Sequence, residues 1–528
     1  MTMTMTMTVA LIKEDKKFIG NGRSAKVYLS FRGDQGVATK TFTGEPVSKF
    51  ILFVLKGSAN PYTWNEDAIQ AAVIRRRLLS HLTQFWFGNK VRLPKTFDYR
   101  WNETEKAYEI DTEFISGCHA PLLNPMVNDP FDYMADLRNE IMNPLESKLI
   151  ESGFDGLVWQ AGKGNPIGAS NFMMNKRKDG SHQWIWIDLE SGLPALFAMN
   201  LWSTLTYYLP MCVKHKGWLF DNVDTRTLGN YLKENKSALL NDSNPESYQQ
   251  LVDDCEALDV AQSNWKGLSR SHKSLYYSAS QDKITQEEAS YYEDKPLRWF
   301  CKSIVMFLSS FVFSFGEKVK EVVDKIVDFK YGKLSRRAYR YFTDSRYRWG
   351  FVRWVLKREI NSWHKRRSIT NEERSLLLNQ LSNDDISAYL TDFSIHLGLK
   401  PFVKLFTLGI LPVLTAMGYI GLPMAAVLLL WTGPAVRTVY TLFQMVNNLV
   451  SKQKHNRYLA LALGIIPIVG NIAYPAEFAY QTTGDRNQLA KYIAYALTTK
   501  IGGKIPIWGG QDSEIEHFFN RICHKLLS

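Results

Sequence analysis

Residues 405–436 run for 32 positions without a charged side chain, and residues 458–476 add another 19. Such stretches must be buried in a core or placed in lipid, since about 20 apolar residues span a bilayer. Both runs are interrupted. Pro412, Gly418, Gly421 and Pro423 break the first, and Gly464, Pro467 and Gly470 break the second. Breakers at that spacing leave two short helices per segment, so we expect two broken apolar hairpins at a membrane rather than straight spans. Lys452, Lys454 and Arg457 bias the loop between them to the cytoplasmic side. A buried helical core in a large soluble domain is the competing reading. Residues 304–315 are also apolar, but 12 positions broken by Ser309 and Ser310 are too few to cross and predict an interfacial or core helix.

The charge is equally local. Of a net +12, nearly all comes from residues 330–367, where 13 basic side chains face only Asp344 and Glu359. Aromatic residues are interleaved with them, among them Tyr339, Tyr341, Trp349, Trp354 and Trp363. Cations mixed with amphipathic rings suit an anionic lipid surface. They also suit single-stranded nucleic acid, or a solvated basic helix face. The apolar segments that follow favour lipid, and nucleic acid is the least favoured partner.

Other chemistries are excluded by what is missing. The five cysteines (Cys118, Cys212, Cys255, Cys301, Cys523) are odd in number and never spaced CxxC, which disfavours a disulfide scaffold or zinc module. They fit a reducing compartment. No HExxH pairs the histidines. A 528-residue chain with 45% apolar residues has material for about three folded units and is not mostly disordered. The Met-Thr repeat at residues 1–8 has no basic or long apolar region, so residues 1–15 are expected to be a flexible tail rather than a signal peptide.

The first 200 residues carry the chemistry. KFIGNGRSAKVYL at 17–29 predicts a strand, a tight turn holding Gly20 and Gly22, and a second strand. Glycines there let backbone amides approach a phosphate. A strand, not a helix, follows them, which disfavours a dinucleotide-binding turn. Val37-Ala38-Thr39-Lys40 then places a lysine on a strand, and Asn65 caps a helix through Ile69, Ala72, Val73, Arg76 and Leu79. YEIDTEFISG at 108–117 alternates like a strand and ends at Glu113, and residues 145–154 predict a helix closed by Gly153. Asn171-Phe172-Met173-Met174 reads as a short strand, Asp179-Gly180 is a favoured hairpin turn, and the return strand at 183–187 delivers Asp188-Leu189-Glu190.

A glycine turn, a strand lysine, a capped helix, a loop asparagine and a strand-end aspartate in this order resemble the protein-kinase-like superfamily. The likeness is nearest to atypical bacterial branches such as the ubiquinone-biosynthesis kinase-like family and lipopolysaccharide heptose kinases, where IDL replaces DFG. It covers residues 18–240. The resemblance implies that ATP and Mg²⁺ bind, with Gly20 and Gly22 over the phosphates, Glu113 at the hinge, and Lys40 on the α/β-phosphates. Asn171 and Asp188 would hold the metal, with Lys40 and Asp188 as the catalytic pair. Three departures stand out. The catalytic-loop aspartate position holds Pro166, preceded by Asn165; Ala25 replaces the third loop glycine; and Glu190 stands where DFG has glycine. The helix also lacks a central glutamate for Lys40, with Glu66 the nearest candidate. Lys163 is expected to face solvent.

The expected fold class is α+β, a two-lobed kinase-like domain at 16–240 followed by a mainly helical, membrane-associated C-terminal region. That region divides into polar helices at 241–295, basic aromatic helices at 296–400, the two apolar hairpins at 401–484 and a cap at 485–528. The expected function is a membrane-associated kinase-like protein with its kinase-like domain cytoplasmic, binding Mg-ATP and acting on a lipid-linked or membrane-proximal acceptor. The alternatives are an inactive pseudokinase scaffold, or a membrane-remodelling or nucleic-acid-binding protein on a kinase-derived shell.

Overall fold

Alternation in the N-terminal sequence becomes strand wherever a turn residue reverses it. A computed structural model describes most of residues 16–190, 204–306, 336–383, 403–451, 488–504 and 512–527. It is mixed helix and sheet, with a small antiparallel sheet near the N-terminus and a helical C-terminal region. The chain forms two compact units, Met1–Ala120 with Asp136–Ser309, and Pro121–Ala135 with Ser310–Ser528.

In the first unit β1 (Lys17–Asn21), β2 (Lys26–Arg32), β3 (Gln35–Thr41), β5 (Thr96–Asn102) and β6 (Ala107–Glu113) make a five-stranded sheet in the order β1-β2-β3-β6-β5. Register places Val27, Lys40 and Ile110 in one cross-strand row. On the opposite face Thr39 donates to Asp111 at 2.7 Å and Thr41 to Glu109 at 2.8 Å, so the buried threonines of β3 are hydrogen-bonded.

Helices α1 (Pro46–Lys56), α2 (Pro61–Trp64) and α3 (Glu66–Phe87) follow. Asn65 caps α3 by accepting from the Ala68 N–H at 2.8 Å, and Glu66 and Asp67 complement the positive end of the helix. The main core lies between this helix and the sheet, with Phe42, Tyr62, Ile69, Ala72, Val73, Ile110 and Trp265 buried together.

A second sheet joins β4 (Val91–Arg92), β8 (His182–Trp186) and β7 (Phe172–Lys176), with β7–β8 the antiparallel hairpin read from the sequence. The segment after β6 is stitched to it, Cys118 and Met174 exchanging backbone hydrogen bonds at 3.2 and 2.6 Å. Gly117 permits that approach, because a Cβ there would sit 2.7 Å from the Met174 carbonyl oxygen. Helix α4 (Asn143–Glu151) ends before Gly153, whose φ of +83° suits glycine, and α5 (Val158–Ala161) leads toward β7.

The first unit continues past residue 240. Helices α6 (Thr225–Glu234), α7 (Pro245–Gly267), α8 (Arg270–Ser280) and α9 (Gln286–Glu293) belong to it. α7 packs along α3, Arg77 forming a two-point ion pair with the buried Asp254 at 2.6 and 3.1 Å. Gln262 exchanges hydrogen bonds with the Val223 backbone. The polar composition of α7 conceals a core-facing stripe in which the buried Asp254 and Gln262 are both hydrogen-bonded.

In the second unit, α10 (Ser345–Lys365) buries Val352, Leu356, Ile360 and Trp363, a helical stripe packed with α11 (Asn371–Asn383) and α13 (Gln488–Lys504). Trp363 stacks on Tyr492 at 5.5 Å, and Arg366 pairs with Asp512 and Glu516 at 2.9 and 3.3 Å. Part of the basic aromatic segment is therefore core, while Arg346, Arg353, Trp354, Lys357 and Arg358 remain exposed. Residues 121–124, themselves part of this unit, form a strap along its helices. The Leu123 N–H donates to Asn520 at 2.9 Å, its carbonyl accepts from Tyr495, and Asn124 bonds Glu373 and Tyr492. α14 (Glu514–Leu527) supplies Asn520.

The first apolar segment is interrupted at Gly421, between the helix Leu411–Ala416 and α12 (Leu422–Ser451), while Gly418 lies outside the described residues. Against expectation α12 is long, at 30 residues, and runs through Pro434. Pro423 lies in its first turn, where proline is tolerated. Among the described residues no helix is long and apolar enough to cross a membrane. The second apolar segment at 458–476, the tail at 1–15, Pro166, the Asp179-Gly180 turn and most of 304–315 lie outside the described residues.

Replacing the α3 cap should expose the cost of an orphaned helix end. Asn65→Ala is expected to destabilise the protein by about 1 kcal/mol and Asn65→Asp far less, measured by urea unfolding.

Candidate functional site

Residues far apart in sequence converge on a cavity of about 720 Å³ in the first unit. The sheet contributes Val27, Ala38, Lys40, Ile110 and Thr112; the β1–β2 turn contributes Gly22, Ser24 and Ala25. Phe114 to Gly117 form one side, and Gln160, Asn165, Asn171, Asp188 and Glu190 the other. Gly20 is not among the lining residues and sits in β1, next to a bulge. Lys163 is exposed, as expected.

Lys40 meets Asp188 across 148 residues of sequence, its ammonium 2.5 Å from one carboxylate oxygen. It also donates to Glu190 at 2.8 Å. Burial alone would push the lysine down; Asp188 and Glu190 outweigh it and hold its pKa above the ordinary value. Asp188 is 44% exposed and Glu190 only 1%.

Glu190 is held by a second cation. Arg76, on the core-facing stripe of α3 and 3% exposed, bonds it at 2.5 and 3.0 Å. Burial would raise this carboxyl, but Arg76 and Lys40 hold it well below the usual range. The pairing reverses the polarity that the resemblance implies, where helix glutamate meets strand lysine. Here the helix supplies arginine, and the acid comes from the position of the DFG glycine. Glu66 lies in the first turn of α3, far from this pair, so the acid that holds Lys40 is Glu190 instead. Reading the sequence missed this pair, although an arginine on an apolar helix stripe is a usable signal, because a buried guanidinium needs a carboxylate.

Asn171 donates its amide to the Gln160 carbonyl at 2.9 Å, and its own carbonyl accepts from the Ile187 N–H at 2.8 Å. That fixes it beside the strand end carrying Asp188. Glu113 reaches the cavity wall, but its carboxylate is taken by Arg92 at 2.6 and 2.8 Å and by the Lys95 N–H, and its own N–H donates to the Lys95 carbonyl at 2.8 Å.

Mg²⁺, as the resemblance implies, would find two hard oxygen donors here, the Asp188 carboxylate and the Asn171 amide oxygen. Among the described residues no cluster of three or more His, Cys, Asp or Glu could hold a metal unaided. The donor set fits an ion that takes its remaining ligands from phosphates and water, as Mg²⁺ does. Lys40, Arg76, Asp188 and Glu190 balance in charge, so an entering polyphosphate would need a cation of its own. No family model matches the chain, and neither does a curated protein or a solved structure.

The buried pair should dominate stability. Glu190→Gln is expected to cost about 3–5 kcal/mol, because it strands a buried guanidinium, whereas Asp188→Asn should cost within about 1 kcal/mol since Glu190 still holds Lys40. A carboxyl depressed by folding stabilises above its unfolded pKa and loses that contribution as pH falls. Urea unfolding between about pH 5 and pH 2 should therefore show a shallower acid decline in Glu190→Gln than in the parent protein.

Proposed function

We propose that this chain is a membrane-associated, kinase-like protein that binds Mg-ATP in the cavity and transfers phosphate to a lipid-linked or membrane-proximal acceptor. The observation that carries the reading is the meeting of Lys40 and Asp188 at 2.5 Å on the wall of a cavity that Gly22 and Asn171 also line. In phosphoryl transfer the protein contributes mainly positioning and charge stabilisation. Lys40, steadied by Glu190, would turn from Asp188 to the phosphates, freeing Asp188 for the metal. Support for the two-lobed, kinase-like form comes from the order of the elements and from the stitched Phe114–Cys118 segment leading from one sheet to the other.

A second reading, a nucleotide-binding scaffold that transfers nothing, is favoured by the cavity's acids. Glu113 is bound to Arg92 and Glu190 to Arg76, which leaves Asp188 as the one exchangeable carboxylate among the described lining residues. Loss of a general base slows such reactions by about 10²–10⁴-fold.

Membrane association is supported by two exposed surfaces of the second unit. Met424, Val427, Trp431, Val439, Leu442, Val446 and Leu449 are all exposed at helical spacing along α12. On α10, Arg346, Arg353, Lys357 and Arg358 are exposed around Trp354, with the Arg358 guanidinium 5.5 Å from its ring. The kinase-like unit would then lie on the cytoplasmic side.

Mg-ATP at about 100 times its Kd should stabilise the protein by about 2.7 kcal/mol, and Lys40→Ala or Asp188→Ala should abolish that gain in thermal unfolding. Stabilisation without labelled phosphate appearing on protein, lipid or water would select the scaffold. In flotation assays, vesicles of anionic lipid should carry the protein and neutral ones should not. Removing the charge at Arg353, Lys357 and Arg358 together should reduce flotation severalfold, and equal flotation on both lipids would remove the basic face from the proposal.

A further inference from the structure

Trp265, near the end of α7 and 4% exposed, lies within reach of three ammonium groups from three helices. Lys266 stands 5.1 Å from its ring centroid, Lys273 of α8 5.7 Å and Lys56 of α1 5.9 Å. Behind them Arg75 of α3, 2% exposed, donates to the Tyr62 hydroxyl at 2.7 Å and to the Asp221 carbonyl at 3.1 Å. The carboxylate these cations share is Asp221, which accepts from Tyr62 at 2.9 Å and lies 3.4 Å from Lys266. Four cations thus crowd one acid. Among the described residues the Lys56 ammonium has neither a hydrogen bond nor an ion pair; the ring of Trp265 is its contact.

Crowded cations in a half-buried place are unfavourable unless something restores their hydration or charge balance. Burial, reinforced by Lys273 and Lys266, pushes Lys56 down to about 8. Burial also lowers Lys266 and Lys273. Helix-end complementarity accounts for part of this, since Lys56 and Lys266 close their helices. It does not account for three ammoniums gathered on one indole. A cation–π contact weakens neither the repulsion between them nor the need for a counter-ion.

We infer that Lys56, Lys266 and Lys273, backed by Arg75, form a binding site for a phosphate-bearing ligand, separate from the nucleotide cavity. A phosphate monoester brings close to two negative charges and several strong acceptors, which matches the local excess of three positive charges. The lysines meet solvent, the Lys266 side chain being 27% exposed and Lys56 and Lys273 half-buried. None of these residues lines the cavity that holds Lys40 and Asp188.

The test uses the full chain with inorganic phosphate and phosphoserine as probes, in thermal unfolding and calorimetric titration, with KCl holding ionic strength constant. The melting temperature should rise with phosphate and not with matched chloride. Lys56→Gln and Lys273→Gln should each weaken phosphate binding at least tenfold, Lys273→Arg should retain most of it, and Lys40→Ala should leave it unchanged. The Lys40→Ala arm separates this site from the cavity, so failure of the nucleotide reading does not decide this one. Vesicles of phosphatidic acid that lose the protein on Lys56→Gln would identify a lipid headgroup as the source. Phosphoserine binding that depends on Lys56, with no such vesicle effect, would identify a soluble or protein-borne phosphate. Phosphate binding unchanged in both Gln variants, or lost only in Lys40→Ala, would overturn the site and leave the lysines as helix-end charges.

Discussion

Arg76 and Glu190 form the interaction on which the first unit depends. Each is almost wholly buried, and neither could remain charged there without the other. Their contact fastens α3 to the segment that leaves β8, and so to the end of the hairpin that carries Asp188. Lys40 joins as a third member, tying the five-stranded sheet to the same acid. Three elements with no local reason to meet are held in register by one carboxylate. The cavity is the space that this arrangement leaves open.

In this triad the strand lysine Lys40 takes a carboxylate partner from Glu190, two residues beyond Asp188, where the kinase-like pattern would take it from the helix. Against the pattern that the resemblance implies, Arg76 stands for the helix glutamate and Glu190 for the glycine, and the buried guanidinium at the first position needs the carboxylate at the second.

Much of this arrangement was legible in the sequence because its determinants are local. The β1–β2 hairpin, whose turn holds Gly22 while Gly20 stays in β1, the Asn65 cap and the β7–β8 hairpin follow from turn chemistry and alternation within a few residues. What stayed hidden depends on encounters between distant segments. Glu190 meets Arg76 across 114 residues, and the Trp265 cluster gathers side chains from α1, α3, α7 and α8. The polar helix α7 read as a separate region because Asp254 and Gln262 interrupt its apolar stripe, and their partners Arg77 and Val223 lie far off in sequence. In the basic segment, composition alone could not separate Trp363, which is core, from Trp354, which is not. The long course of α12 was missed because Pro423 reads as a breaker until its first-turn position is known.

The strap at 121–124 ties the helical unit to a segment made far upstream. The helical unit draws Leu123 and Asn124 from more than two hundred residues upstream to satisfy Asn520, Tyr495, Tyr492 and Glu373. A fragment beginning at residue 310 would lack those partners, so the C-terminal half is not a self-sufficient module for expression or for transplanting into another protein. During synthesis the strap emerges long before the helices that clasp it, and it must wait, unclasped, until α13 and α14 have been made.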